Sequence, residues 1–206
     1  MTTAEPTVEA PGRSRILDEA ATLFLEHGYE AASVRRIAEA VGMRAASIYH
    51  HFNSKEDLLE AILRRGLEVM TVAFGEASTA TLGAPGPERL AAHVRAHLAA
   101  LYENGPYTAT HVTTFRTAPQ SVRATIVPQR DAYEVLWTSL LDDLVTSGLL
   151  APDTAVGPAR LMLLGGMNAS VEWFDPHLGS LDDLSELITR QTLYGLSNPM
   201  KDRQLP

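Results

Sequence analysis

The sequence predicts an all-α protein in which a small N-terminal three-helix domain precedes a larger helical one. Apolar residues recur at helical spacing, and no strand-like alternation is sustained anywhere in the 206 residues. Clusters of Gly and Pro cut the chain into pieces of helix length. Between residues 33 and 58, SVRRIAEAVGMRAASIYHHFNSKEDL sets two short apolar patterns on either side of a glycine, the signature of a helix-turn-helix.

Each element follows from its residues. Residues 1–12 hold Pro6, Pro11 and Gly12 without periodicity and read as a flexible arm. A first helix is expected over 13–27, burying Ile16, Leu17, Ala20, Ala21, Leu23 and Phe24. Gly28 then serves as a left-handed cap, and Tyr29 folds back on the core. Ser33 can cap a second helix whose buried side carries Ile37, Ala38 and Val41, with Ala38 small enough for a steep crossing. Gly42 gives the turn its backbone freedom and Met43 plugs it from inside. A third helix from about Arg44 to His51 turns Ile48 and Phe52 inward. That leaves Arg44, Ala45, Ser47, Tyr49 and His50 facing out. Small, polar and basic groups beside a helix N-terminus suit the major groove of DNA.

Asn53 and Ser54 open a fourth helix, with Glu56 and Asp57 in its first turn where negative charge complements the helix dipole. It runs on through Leu58, Leu59, Ile62, Leu67, Met70 and Phe74 and links the two parts mechanically. LGAPGP at 82–87 is the clearest break. Beyond it helices are expected over 87–103, 107–117, 119–147, 155–174 and 181–196, the third of them kinked or split at Pro128. The last two have wide apolar faces: Leu161, Met162, Leu163, Leu164, Met167 and Val171, then Leu184, Leu187, Ile188, Leu193 and Leu196. The Gly165-Gly166 pair costs a helix about 1 kcal/mol per glycine relative to alanine, which is tolerable where another helix comes close. The domain bounds are therefore an arm at 1–12, the helix-turn-helix domain at 13–58, the larger domain at 59–198 and a tail at 199–206.

Composition narrows the class. With 45% hydrophobic and 20% charged residues, the chain has the make-up of an ordinary globular protein long enough to bury a core. No run of about eighteen apolar residues marks a membrane span. MTTAEPTVEAPG lacks the basic flank and apolar stretch of a secretory signal, so a cytoplasmic location is expected. Zero cysteines exclude disulfides, thiol catalysis and cysteine-ligated metals. The net charge of −8 runs against DNA binding, but it is unevenly spread. Residues 31–55 carry Arg35, Arg36, Arg44 and Lys55 against Glu39 alone, whereas from residue 67 onward nine basic side chains are set against fifteen acidic ones. Such polarity orients a protein on a duplex while discouraging indiscriminate adhesion.

The matching residues run as Arg15-Ile16-Leu17, Ala20, Phe24, Gly28-Tyr29, Ser33-Val34, Ile37-Ala38, Val41-Gly42, Ile48-Tyr49-His50-His51-Phe52 and Ser54-Lys55-Glu56-Asp57-Leu58. Without a gap over roughly residues 13–60, this pattern resembles the DNA-binding domain of TetR-type (tetracycline-repressor-like) transcriptional regulators. The resemblance implies an all-helical homodimer that binds a palindromic operator as a repressor. It also implies a second domain that binds a small molecule and thereby loosens the hold on DNA. In the family the last two helices pair with those of a second copy in a four-helix interface. Closing the monomer core is the other use their pattern allows.

On the matched positions, Tyr49 and His50 are expected to donate to phosphates, and Lys55 to reach the backbone from the start of the fourth helix. Ser33 and Arg35 would anchor the first helix of the motif, while His51 reads equally well as a packing residue. The chain departs from the family pattern at Arg44, Ala45 and Ala46, where members often carry Ser or Thr, a basic residue and Gly. Arg44 can contact guanine bidentately, worth about 1–3 kcal/mol of discrimination, or take the missing basic residue's place on a phosphate. The two alanines offer only apolar contact, so operator shape is expected to carry part of the specificity.

Residues 165–176, GGMNASVEWFDP, together with Leu193-Tyr194-Gly195-Leu196 and Arg130-Asp131-Ala132-Tyr133-Glu134, resemble a branch of the family that senses acyl-CoA thioesters and regulates fatty-acid or steroid breakdown. Glu172 stands where that branch commonly has Arg, a departure that a CoA polyphosphate would not favour. An acyl-CoA thioester is the leading effector class and a neutral hydrophobic molecule the second. Candidate pocket residues are Tyr107, His111, Phe115, Arg116, Arg123, Trp137, Asn168 and Trp173, with Arg116 and Arg123 suited to an anion. No cofactor or metal is expected. Two rival classes remain, an effector-independent DNA binder and a helical enzyme. His93 and His97, four apart, have metal-ligand spacing, but no HExxH glutamate or third ligand accompanies them. No Gly-x-Ser-x-Gly, phosphate loop or dinucleotide fingerprint occurs either.

Overall fold

Pro11 opens α1 (Pro11–His27) two residues earlier than the sequence reading, because a proline with no N–H to satisfy is pre-organised for a first helical turn. The structure is a computed structural model that describes residues 11–196. Most of the expected arm and the whole of the tail at 199–206 lie outside the described residues. Ile16, Leu17, Ala20, Ala21 and Phe24 are buried along α1 as expected. Gly28, at φ 79°, stops the helix, and Tyr29 returns to set its ring edge-on to Phe24 at 5.4 Å. Ser33 caps α2 (Val34–Ala40), its Oγ accepting from the Arg36 N–H at 3.2 Å. Gly42, at φ 71°, makes the turn. The next helix, α3 (Ala45–Ile48), is shorter than the expected 44–51. Arg44 is its N-cap, and the chain unwinds through turns after Ile48.

A reciprocal cap begins α4 (Lys55–Ala80): the Ser54 Oγ accepts from the Asp57 N–H at 3.0 Å, and the Asp57 carboxylate accepts from the Asn53 N–H at 3.0 Å. This helix belongs to both parts. Its first turns bury Leu58, Leu59 and Ile62, and its later turns bury Leu67, Met70 and Phe74. Around it lie α5 (Gly86–Tyr102), α6 (Pro106–Thr114) and α7 (Gln120–Thr146). Then come α8 (Val156–Ala169), packed on α7, and α9 (Leu181–Leu196), packed on α5. Single 3-10 turns at Phe115–Thr117 and Ser170–Glu172 end the stretches expected to stay helical to 117 and 174. Pro128 does not split α7. Both Pro128 and Ala124, whose carbonyl loses its usual partner, lie on the exposed side where water can bond it.

The fold brings α6 into contact with both parts at once. Gly66 of α4 makes this possible: a Cβ there would stand 2.7 Å from the Tyr107 carbonyl oxygen and 2.9 Å from the His111 Cβ. Hydrogen bonds then fix α6 on two sides. Toward α4, the His111 Nδ1–H donates to the Leu63 carbonyl at 2.9 Å and the Thr108 hydroxyl to that of Gly66 at 3.3 Å. Toward α1, the Tyr107 hydroxyl donates to the Asp18 carboxylate at 2.6 Å and the Thr110 hydroxyl to the Ala21 carbonyl at 2.9 Å.

Candidate DNA-binding surface and effector cavity

At the N-terminal end, Ile37, Ala38, Val41, Ile48 and Phe52 all face the core, so their helices have no freedom to turn over. Rotation is thereby fixed, and Ser33, Arg35, Arg44, Tyr49 and His50 are exposed on one side. Tyr49 is 54% exposed although its ring is apolar. Ser47 is half-buried. One expectation fails here. Ala45, three residues before the buried Ile48, is turned against the core and Ala46 takes the outward place. His51 is half-buried and its ring lies beside Gly12 of α1.

Two of the exposed cations have protein partners. Arg35 pairs with Glu39 at 3.0 Å one turn on, and Arg36 reaches the His27 ring at 2.6 Å. Lys55 is held in as well. Its ammonium lies 4.1 Å from the Tyr29 ring centroid and donates to the Glu30 carbonyl at 3.4 Å. Burial and the Glu56 carboxylate push the Tyr29 hydroxyl up to about 12, so the ring stays neutral beneath the lysine.

In the larger domain a cavity of about 490 Å³ opens between α4, α6, α7 and α8, a volume in the range of small-molecule sites. Of the candidate ligand residues, His111, Arg116 and Asn168 line it. Phe115 lies just behind, stacked on His111 at 5.7 Å and beneath the Arg130 guanidinium at 4.0 Å. Four candidates do not line it. Tyr107 is turned to Asp18; Trp137 is fully buried among Phe74, His93 and His97; Arg123 is exposed elsewhere on α7; and Trp173 is 63% exposed. Periodicity cannot separate a ring that faces a cavity from one that packs beside it.

His97, Arg130, Tyr133 and Glu134 also line the cavity, and none of them was among the expected pocket residues. Burial pulls the Arg130 guanidinium down from its ordinary value, while Glu134 and Asp131 oppose the shift. Glu134 itself is engaged with Arg160 at 2.8 Å and stands 4.0 Å from Arg130. Burial also holds both His97 and His111 down at about 4. The His93 and His97 pair has no nitrogen left for a metal. His93 contacts the Ser78 hydroxyl at 2.8 Å and the Arg89 carbonyl at 2.7 Å, and His97 contacts Tyr133 at 2.8 Å and Asn168 at 2.9 Å. Among the described residues no group of three His, Asp or Glu side chains is placed to hold a metal ion, and no helix is long and apolar enough to cross a membrane.

Residues 16–62 match the family model described as bacterial regulatory proteins, tetR family, and residues 83–196 match that of a tetracyclin repressor-like C-terminal domain. The chain belongs to the TetR family, and it is a DNA-binding transcriptional regulator of the helix-turn-helix type. Over 197 residues it is 32% identical to the HTH-type transcriptional repressor KstR2 of Rhodococcus jostii (strain RHA1), spanning 91% of this chain and 92% of that protein. Among solved structures it is similar to the TetR family transcriptional regulator PfmR from Thermus thermophilus, with 31% identity and a TM-score of 0.77 over 89% of this chain and all of that one. The fatty acid degradation regulator FadR from Bacillus halodurans is also similar, with 27% identity, a TM-score of 0.74 and coverage of 91% and 97%.

Proposed function

We propose that the protein is a cytoplasmic homodimeric repressor that grips a palindromic operator through two copies of α3 and releases it when a small apolar molecule enters the cavity. The observation that carries the reading is the outward face of α2 and α3, where Arg44, Tyr49 and His50 stand free of the core on helices whose rotation is fixed. In this reading Arg44 contacts a base edge or a phosphate, Tyr49 and His50 donate to phosphates, and Ser33 and Arg35 anchor the neighbouring strand. Ser47 and Lys55 lie at the margin of the same face.

The effector class is an acyl thioester or another lipid-like molecule. The cavity's size and half-apolar wall support this, as does likeness to a fatty acid degradation regulator. Glu172, the wall carboxylate without an arginine partner among the described residues, disfavours a CoA polyphosphate beside it, so the acyl part is the part the cavity suits. The partner surface is the open side of α8 and α9. Leu163, Leu164, Met167 and Leu184 close the core, but Leu161, Met162 and Leu187 are 59%, 77% and 60% exposed. A Cβ added at Gly165 or Gly166 would meet nothing within 4 Å, so both glycines leave room for a second helix.

A gel-shift titration tests the proposal, using a duplex selected by the protein from a random library. Arg44→Ala is expected to weaken binding by about 5- to 150-fold. Binding indifferent to Arg44→Ala and Tyr49→Phe would defeat the DNA-face assignment, and failure of every lipid-like molecule to release the duplex would defeat the sensor half.

A further inference from the structure

Within the cavity wall runs a short chain of hydrogen bonds whose direction can be worked out. His97 is fully buried and neutral, so one ring nitrogen carries a proton and the other a lone pair. The Tyr133 hydroxyl lies 2.8 Å from Nδ1 and the Asn168 Oδ1 lies 2.9 Å from Nε2. Tyr133 is itself buried, and its hydroxyl proton needs an acceptor. The Trp137 indole close by is a donor and cannot serve. Tyr133 therefore donates to Nδ1, which places the imidazole proton on Nε2, and that N–H donates to the Asn168 carbonyl oxygen. The Asn168 amide is thus fixed with its NH2 turned away from His97. That nitrogen has no hydrogen-bond partner among the described residues, and Asn168 lines the cavity.

Four charged groups share the wall, and Glu172 is the carboxylate that has no arginine partner among the described residues. Arg116 and Arg130 are donors, and the Glu134 carboxylate is already engaged by Arg160. Beside them the Asn168 NH2 is a wall donor without a protein acceptor among the described residues, so an acceptor atom on the ligand would complete it. We propose that Asn168 is the specificity-determining residue of the cavity and that it selects an apolar ligand by donating to that ligand's carbonyl oxygen. Tyr133 and His97 are positioning residues that act through Asn168. The proposal rests on the cavity being the effector site.

The test uses the full-length protein and two probes, S-decanoyl-N-acetylcysteamine and its thioether counterpart S-decyl-N-acetylcysteamine, which differ only in the thioester carbonyl. Isothermal titration calorimetry is expected to show the thioester bound about five-fold more tightly, the worth of one net hydrogen bond. Asn168→Asp, which still accepts from His97 but has no N–H to offer, is expected to erase that preference, as is Asn168→Ala. Nitrogen-15 NMR of histidine-labelled wild-type protein is expected to show His97 protonated on Nε2, and Tyr133→Phe to disturb that tautomer while lowering the preference. Equal affinity for the two probes, a preference that survives in Asn168→Asp, or a proton on Nδ1 in the wild type would each overturn the proposal. Binding of neither probe would overturn it too, yet the sensor reading would stand if another small molecule still released the duplex in the gel shift.

Discussion

Lys55 keeps its ammonium over the Tyr29 ring and against the Glu30 carbonyl, so removing it acts on the fold as well as on the proposed phosphate contact. Lys55→Ala is expected to lower stability to urea by about 0.5–1 kcal/mol through the lost ring contact. Arg44→Ala, on an exposed side chain, is expected to leave stability unchanged. If either residue neutralises a phosphate, its loss flattens the dependence of log affinity on log salt by about 0.9. The buried histidines give a second prediction at this scale. His97 and His111 titrate near 4 in the folded chain against an ordinary 6.5, so between these values the unfolded chain binds more protons. The stability they contribute is whole above pH 6.5 and is lost as pH falls toward 4, with a slope of up to about 1.4 kcal/mol per pH unit for each group. Urea midpoints at pH 7 and pH 5 check this, and equal midpoints would contradict it. Tyr49 and His50 were legible because exposure follows from the buried stripe of Ile48 and Phe52. His97, Tyr133 and Arg130 were not, because which residues share a cavity depends on how three separate helices dock.

At the scale of elements, α4 and α6 depend on one missing methyl group. Gly66→Ala would press a Cβ onto the Tyr107 carbonyl, backbone that cannot swing aside, and is expected to destabilise the protein by about 1–3 kcal/mol. Thermal melts check the value, and an unchanged melting temperature would mean the two helices part easily. Helix positions were readable because Gly and Pro stand between them: α5, α7 and α9 fall within a residue or so of the sequence reading. Helix ends were less so. The 3-10 turns after Thr114 and Ala169 leave no mark in an apolar pattern. In α3 Ala45 lies three residues before the buried Ile48 and shares its face, which is why Ala46 and not Ala45 is outward. Gly66 gave no sign of its role in the sequence, since a glycine in mid-helix reads the same whether it faces water or a neighbour.

For the molecule as a whole, the proposed partner surface on the apolar side of α8 and α9 is what would let two reading heads act together. Replacing both Met162 and Leu187 with Glu is expected to reduce the mass in sedimentation from twice 22.4 kDa to 22.4 kDa and to abolish tight operator binding, with the helix content unchanged. A doubly substituted protein that still sediments as a pair would move the interface elsewhere. The same nine-residue α6 (Pro106–Thr114) that walls the cavity is tethered to α1 by the Tyr107 and Thr110 hydroxyls. On the proposed reading, a push on that helix from within would reach the end that carries α2 and α3, and thermodynamic reciprocity would make the traffic run both ways. By that same reading, whatever factor an effector takes from operator affinity a bound operator would take from effector affinity, so a copy on its operator would be harder to trigger than one adrift. Removing one of the two tethers with Tyr107→Phe is expected to shrink that shared factor, read as a smaller loss of operator affinity at saturating effector in the gel shift.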